Sequence, residues 1–461
     1  MNPSTFDIIS PVDGRMYSTL AYEQQSQVDD RLDRAELAFQ AWRTFTLAER
    51  ISAVSLFVDE LERLRTRLSE EVLWLIGRPR HQSDELKRVI ATVRHLMTQA
   101  HAQLGDEPIA GGDGIRRFVR REPRGVCLAI CAWNYPVAMA CAMVAAAMLA
   151  GNVVLLKHAP QTGPIADLIE AAYWASGAPA NVFQRVHMDH PTAEQVIASG
   201  RVQFVQFIGS EQGGRAVHRA AARNLVPVGL ELGGKDPAYV RPDADIEEAA
   251  SGLVSGSFDN AGQSCCSVER IYVHTHVYDA FVERFIGKMR ALKFGDPRGN
   301  PDVGPVVSPG AASRIRKHVE KAVAAGATVV NHPERSSIDP ESAYFSPLVL
   351  LGATHAMSIM QEELFGPVAP IVRVDTDETA ISLMNDSRYG LTASVWSKDE
   401  GSALAVASAV EAGTCYVNRC DHADLLLPWG GMKASGIGRS YGEAAFDELT
   451  SLKSFHVRQS H

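Results

Sequence analysis

Hydrophobic spacing divides the chain into two unlike stretches. Over the first hundred residues apolar side chains recur at helical intervals with charged residues opposite, which predicts helices over 35–45, 48–76 and 83–104. From residue 126 onward, short apolar runs alternate with helical patterns. They predict strands over 126–132, 153–156, 202–208, 227–232, 269–274, 328–331 and 369–374. The intervening patterns predict helices over 137–150, 211–222, 246–258, 277–292 and 311–325. Such alternation implies an α/β fold with mainly parallel sheets. The stretch 111–123 breaks the rhythm. It is glycine-rich and then basic, with Arg116, Arg117, Arg120 and Arg121, and reads as an inserted hairpin. Residues 453–458 alternate like an edge strand that another subunit could pair with.

Not one charged residue falls between Val126 and Leu156, a run long enough to span a bilayer. Its interior opposes that reading, because Asn134-Tyr135-Pro136 and Gly151-Asn152 are turn signals. A buried strand–helix–strand unit has the same hydropathy, and neither a second span nor a flanking basic cluster supports insertion. The N-terminus shows neither a basic segment nor an apolar one of the kind that directs secretion. A formal net charge of −9 with no basic run disfavours nucleic acid as a partner. The 7 cysteines are scattered and form no CxxC pair, which disfavours a disulfide scaffold or a zinc ribbon and fits a cytoplasmic setting. His187 and His190 have HxxH spacing without a nearby third ligand, so no metal site is expected. Cys127, Cys131 and Cys141 lie on apolar elements and read as core.

Three segments could carry chemistry. In Asn260-Ala261-Gly262-Gln263-Ser264-Cys265-Cys266 a small-residue loop presents a cysteine able to ionise and act as a nucleophile, although a cysteine is as often simply buried. Glu231 sits in an apolar strand pattern just before Gly233-Gly234. Such surroundings disfavour its charge and suit a general base, while a salt bridge to Lys235 is the plainer alternative. Asn134 ends a predicted strand, where its amide could donate to an oxyanion or serve only the turn.

Together these segments resemble the aldehyde dehydrogenase superfamily. The likeness is carried further by Phe207-Ile208-Gly209-Ser210, by Glu362-Glu363-Leu364-Phe365-Gly366-Pro367 and by Pro428-Trp429-Gly430-Gly431, which continues to Arg439. The order of the segments matches the family from about Phe6 to His456, and the 34 residues from Glu231 to Cys265 and the 23 from Asn134 to Lys157 are its usual intervals. The resemblance implies oxidation of an aldehyde to the carboxylic acid with NAD or NADP. Cys265 would form a thiohemiacetal and then a thioester, Asn134 would stabilise the oxyanion, and Glu231 would activate the hydrolytic water. It also implies that Trp133, Lys157, Gly209, Ser210, Gly233, Glu363 and Phe365 hold the dinucleotide. Tyr135, Met139, Ala142, Asp259, Ala423 and Trp429 would line the substrate tunnel.

The implied architecture has two Rossmann-type α/β domains and a small β oligomerisation element. The dinucleotide-binding domain would take 1–104 and 124–230, the catalytic domain 231–439, and the oligomerisation element 105–123 and 440–461. A homodimer or homotetramer is expected. Some positions depart from the family pattern. Ala132 replaces a proline, Pro160 stands where NAD-preferring members often carry glutamate, Trp429 replaces phenylalanine, and Ser440 replaces a second glutamate used in proton relay. The last change leaves Glu231 as the base. Asp259 disfavours acidic semialdehydes and favours neutral or amino-aldehydes, whereas Arg419 or His422 could attract a carboxylate instead. Alternative activities are a thiol-dependent esterase or acyl transferase on the same fold. A non-catalytic structural protein would be expected to have lost Cys265, Glu231 or Asn134.

Overall fold

A computed structural model describes residues 4–111, 115–334 and 339–458. The chain builds two α/β layers, each around its own hydrophobic core, and a three-stranded antiparallel sheet. The first core is organised by a six-stranded sheet. Its strands lie side by side in the order Gly436–Ile437, Val228–Glu231, Phe204–Ile208, Val126–Cys131, Val153–His158 and Phe183–Arg185. All neighbours are parallel except Gly436–Ile437, which joins antiparallel to Val228–Glu231 from far along the chain. Strand order reverses between Val126–Cys131 and Phe204–Ile208. A crevice opens beyond the carboxyl ends of the strands at such a reversal, and dinucleotides bind there.

The uncharged run 126–156 is the strand–helix–strand unit of this sheet, with every residue of Val126–Cys131 and Val153–His158 buried. The helix between them, Pro136–Leu149, is apolar on nearly all sides because it packs under the sheet and against Leu86–Gln103. Pro136 opens it at a position where no N–H is needed. The carboxylate of Glu85 accepts hydrogen bonds from the Val137 and Ala138 N–H groups at 3.0 and 2.7 Å. Among the described residues no helix is long and apolar enough to cross a membrane.

The second core is organised by a seven-stranded sheet, in the order Thr328–Asn331, Leu348–Leu351, Val368–Val374, Val268–His274, Asp236–Val240, Thr392–Trp396 and Thr414–Val417. Only its first pair is antiparallel. The third sheet pairs Thr450–Arg458 with Ile115–Pro123 along nine residues, and Ile115–Pro123 with Glu107–Ile109. The expected hairpin at 111–123 is thus the pair Glu107–Ile109 and Ile115–Pro123, with residues 112–114 outside the described part. Phe118 and Phe455 stack across this sheet at 4.5 Å.

Several elements differ from the sequence expectations. The single helix over 48–76 is two, Leu47–Arg63 and Arg65–Ile76, because Leu64 leaves helical geometry and its N–H turns back to Leu61. Leu61, Leu64 and Leu68 keep their helical spacing through the joint, so periodicity does not reveal it. The helix expected over 35–45 begins at Gln25, where only Val28 and Leu32 supply buried residues in an otherwise polar turn sequence. The hairpin Thr5–Ile9 with Met16–Ala21 was not expected, since its strands are largely exposed and carry a weak pattern. Ala445, Phe446 and Leu449 pack into the first core although they follow the second in sequence.

Candidate active site

Four of the singled-out positions stand at carboxyl ends of strands in the first sheet. Trp133-Asn134 follow Val126–Cys131, Lys157 lies near the end of Val153–His158, Gly209-Ser210 follow Phe204–Ile208, and Glu231 ends its own strand. Beyond these ends lies a cavity of about 630 Å³. It is lined by Cys265, Glu231 and Asn134, by Trp133, Gly209, Ser210, Gly233, Glu363 and Phe365, and by Tyr135, Met139, Ala142, Asp259, Ala423 and Trp429. Lys157 is not brought into it. That side chain is buried beside the strand end, near Asp189. Arg419 and His422 are not among the lining residues either, whereas Arg88 is.

The cysteine loop is fixed by unusual backbone geometry. Asn260, Ala261 and Gly262 all have left-handed φ values of 49°, 56° and 69°. At Gly262 a side chain would also strike the Gly366 carbonyl at 2.4 Å, so only glycine fits. The loop is closed by Gln263, whose Nε2 donates to the Asn260 carbonyl at 3.0 Å and whose Oε1 accepts from the Val307 N–H at 2.7 Å. The two neighbouring thiols that emerge are unequal. Cys265 is half-buried and faces the cavity. Cys266 is buried, and its thiol donates to Asp421 at 2.8 Å. The adjoining Cys265 thiol, burial and the Asp421 carboxylate together push the Cys266 thiol well up, which holds it protonated. Ser264 donates to the same Asp421 oxygen at 2.9 Å.

Asn134 is buried, with its Nδ2 donating to the Gln263 carbonyl at 3.1 Å and a second N–H left over. Its backbone carbonyl is held by Arg78 at 2.8 Å and by Asn260 at 3.2 Å. Arg78 was not singled out from sequence. Its guanidinium also reaches Asn260 Oδ1 at 3.2 Å and Glu85 at 2.8 Å, and it lies 4.2 Å above the Tyr135 ring. One buried cation therefore ties the Asn134 turn, the cysteine loop and the cap of helix Pro136–Leu149. Arg78→Ala leaves Glu85 buried without its counter-charge, and a loss of about 3 kcal/mol or more is expected. The denaturant midpoint measures this. A midpoint unchanged from the parent would show that the network carries no stability.

The Lys235 ammonium forms its buried ion pair with Glu269, at 2.6 Å, rather than with Glu231. Burial pushes the Glu231 carboxyl up. Hydrogen bonds from Ser440 and the Trp429 side chain, and the Arg439 charge, offset part of that rise. The Lys235–Glu269 pair has its own task. Glu269 accepts from the Leu364 and Phe365 N–H groups at 2.9 and 2.8 Å, fixing the loop that carries Glu363 and Phe365. Phe365 is held at a left-handed φ of 54° with its ring edge-on to Trp133 at 5.5 Å. Glu363 accepts from the Gly234 N–H at 3.1 Å, and a side chain at Gly233 would meet its carboxylate at 2.3 Å. Burial and the nearby Glu269 raise Glu363 to about 7.

The remaining wall suits a dinucleotide. Gly209, Ser210 and Gln212 bring the N-terminus of helix Glu211–Ala222 to the cavity, and exposed N–H groups at a helix N-terminus attract phosphate. Functional candidates absent from the sequence reading are Arg78, Asp421, Tyr441 and Glu448. The last three line the cavity, and Asp421 and Tyr441 have left-handed φ values of 46° and 61°. Among the described residues no cluster of three metal ligands occurs, and His187 pairs with Asp167 at 2.9 Å.

A sequence model described as the aldehyde dehydrogenase family matches residues 1–455. A succinate-semialdehyde dehydrogenase (NADP(+)) of Mycolicibacterium paratuberculosis is 33% identical, covering 98% of this chain and 96% of that protein. Among solved structures, an NAD-dependent aldehyde dehydrogenase from Sinorhizobium meliloti superposes with a TM-score of 0.94 at 34% identity, covering 98% of this chain and 91% of that one. An NADP-dependent glyceraldehyde-3-phosphate dehydrogenase from Bacillus halodurans complexed with NADP gives 0.93 at 30% identity, covering 98% and 96%. With a family model spanning residues 1–455 and relatives of this kind covering 98% of the chain, this protein belongs to the aldehyde dehydrogenase family.

Proposed function

We propose that the chain oxidises an aldehyde to the carboxylic acid through a covalent intermediate on Cys265. The observation that carries this reading is the single cavity shared by Cys265, Glu231 and Asn134 with the crevice wall of Gly209, Ser210, Gly233, Glu363 and Phe365. The Cys265 thiolate attacks the carbonyl carbon, and the free N–H of Asn134 donates to the oxyanion, an effect worth about 3 kcal/mol. Nicotinamide, when bound, would supply the two-electron acceptor needed for a thiohemiacetal on Cys265 to become a thioester. Glu231, made more basic by burial, takes a proton from water as the water attacks the thioester carbon. The C–S bond then breaks and Cys265 regains its electron pair. A dinucleotide would be held by the helix N-terminus at Ser210, with Glu363, Phe365 and Trp133 at its other end. Increase of near-ultraviolet absorbance with NAD or NADP and a panel of aldehydes tests the reading. No reduction with any aldehyde, alongside acyl transfer or ester hydrolysis, would replace it with the thiol-dependent alternative.

For the substrate, Asp259 and the small Ala142 and Ala423 favour a neutral or amino-aldehyde. A second reading rests on Arg88, a guanidinium on the same wall that would suit a semialdehyde bearing a carboxylate. The same panel separates the two by kcat/KM.

We also propose that NADP is accepted alongside NAD. Pro160 opens a short turn just after the strand of Lys157 and offers no carboxylate to a ribose. Asp189, just ahead of helix His190–Ala198, acts on the Lys157 charge. Pro160→Glu is expected to lower kcat/KM for NADP about tenfold or more, equivalent to roughly 1.4 kcal/mol. Burial lowers the Lys157 ammonium to about 8. Its charge is present below that value and lost above it, so KM for NADP should climb through that range while KM for NAD changes less. Negligible NADP turnover by the parent would overturn this. Finally, the free edge of Thr450–Arg458 is proposed to pair with a second copy, giving a dimer or tetramer that light scattering would detect.

A further inference from the structure

Two carboxyl groups, not one, stand on the wall that carries the hydrolytic base. Gly229 precedes Glu231 by two residues on the same strand, so both face the same side of the sheet. A methyl group placed on Gly229 would meet one Glu448 carboxylate oxygen at 2.5 Å, and one placed on Gly438 would overlap the other. Gly438 in turn lies two residues before Ser440, whose hydroxyl donates to Glu231 Oε1. Glu448 therefore fills the space that two glycines leave open beside Glu231 and Ser440. Water can lie between two carboxyl groups that line one cavity. Glu448, Glu231 and Ser440 all line the cavity.

We propose that Glu448 is the relay residue that takes the proton from Glu231 after thioester hydrolysis and passes it to solvent. This rests on Glu231 being the base. When water attacks the thioester, a C–O bond forms, one water proton moves to Glu231, and cleavage of the C–S bond returns an electron pair to Cys265. Glu231 now holds a proton it must lose before the next turnover. A bridging water accepts that proton while giving one of its own to the Glu448 carboxylate, with no change of oxidation state. The Glu448 proton then leaves to solvent. Ser440 carries no carboxyl group of its own, so Glu448, further along the same C-terminal segment, supplies the second one.

The groups facing Glu448 are Glu231 on its strand, Arg439 beyond Gly436–Ile437, Arg124 ahead of Val126–Cys131, and its neighbour Asp447. Arg124 also donates to the Glu448 backbone carbonyl. Burial, then the Glu231 charge, raise the Glu448 carboxyl to about 8, against the pull of both arginines. Below that value it keeps its proton and accepts none. Above it the carboxylate is free to accept, so hydrolysis-limited turnover should rise with pH through this range.

The test uses the full-length enzyme with one good aldehyde, from about pH 6 to about pH 9.5. Rapid mixing reads the burst of reduced cofactor, and steady-state assay reads turnover. Glu448→Gln is expected to keep the burst, to lower turnover about 10- to 100-fold at alkaline pH, and to lose the part of the rise near the Glu448 value of about 8, while the rise set by Glu231 stays. Adding Ser440→Glu to Glu448→Gln should restore much of the turnover, and Glu448→Asp alone should keep that part of the rise, displaced along the pH axis. A Glu448→Gln enzyme with the parental pH profile overturns the relay, as does one whose burst and turnover fall equally. If Glu231→Gln itself turns over normally, the assignment of the base fails instead.

Discussion

Replacing Cys265 with alanine is expected to lower aldehyde oxidation by at least about 10³-fold, while Cys266→Ala stays within about tenfold of the parent. The two thiols are sequence neighbours, and their environments differ in ways that decide the outcome. Cys266 is buried and spends its hydrogen on Asp421 at 2.8 Å, where a nearby carboxylate opposes the thiolate. Cys265 faces the cavity that Asn134 and Glu231 share. Loss of the Cys265 sulfur removes the atom proposed to form the covalent bond, whereas loss of the Cys266 sulfur leaves Asp421 still bonded to Ser264. Dinucleotide binding, followed by fluorescence quenching, should persist in both variants. An inactive Cys266→Ala beside an active Cys265→Ala would reverse the assignment.

Glu231→Gln should lower steady turnover by about 10²–10⁴-fold and leave a burst of reduced cofactor close to one per active site. The amide keeps the shape of the side chain and can still bond to Ser440 and Trp429, so the cavity stays intact. What it cannot do is accept a proton from water, and in the proposed mechanism that proton is needed only after the thioester has formed. The pH dependence follows from the direction of the shift. Burial raises the Glu231 carboxyl, so more of it is protonated at a given pH than an ordinary glutamate. Hydrolysis in the parent should therefore increase as pH rises through that raised value, and the increase should vanish in the variant. A variant with normal turnover and no burst would move the base elsewhere.

Much of this candidate site is legible in the sequence. Asn134, Glu231 and Cys265 each sit at a turn of a few consecutive residues, so local sequence is enough to mark them. Arg78, Asp421 and Glu448 escape such reading because their meaning is set by distant partners. Arg78 meets Asn134 across 56 residues, and Asp421 meets Ser264 across 157. An isolated arginine between helices and a glutamate in a C-terminal turn look like ordinary surface charges. The same holds for the fold. The alternating βα units show their period, but the central strand Asp236–Val240 does not, since Pro237 argues against a central position. The ladder accommodates it by shifting register between Asp236 and Pro237.

The antiparallel strand Gly436–Ile437 bears on how the molecule assembles. It completes the first sheet by pairing with Leu230 and Glu231, and Ala445, Phe446 and Leu449 plug the core of the same layer. The second core, drawn from residues between Ala238 and Ala412, closes without help from either end of the chain. During synthesis the earlier-made layer must therefore wait with an unpaired strand edge, while the later-made layer can settle on its own contacts. Contacts of such sequence separation are slow to form, and the exposed edge is open to wrong partners meanwhile. A chain truncated after Lys433 should accordingly aggregate on refolding even though nearly all of both sheets is present. The segment from Gly436 to Leu449 acts as a clasp, and Glu231 lies directly under it.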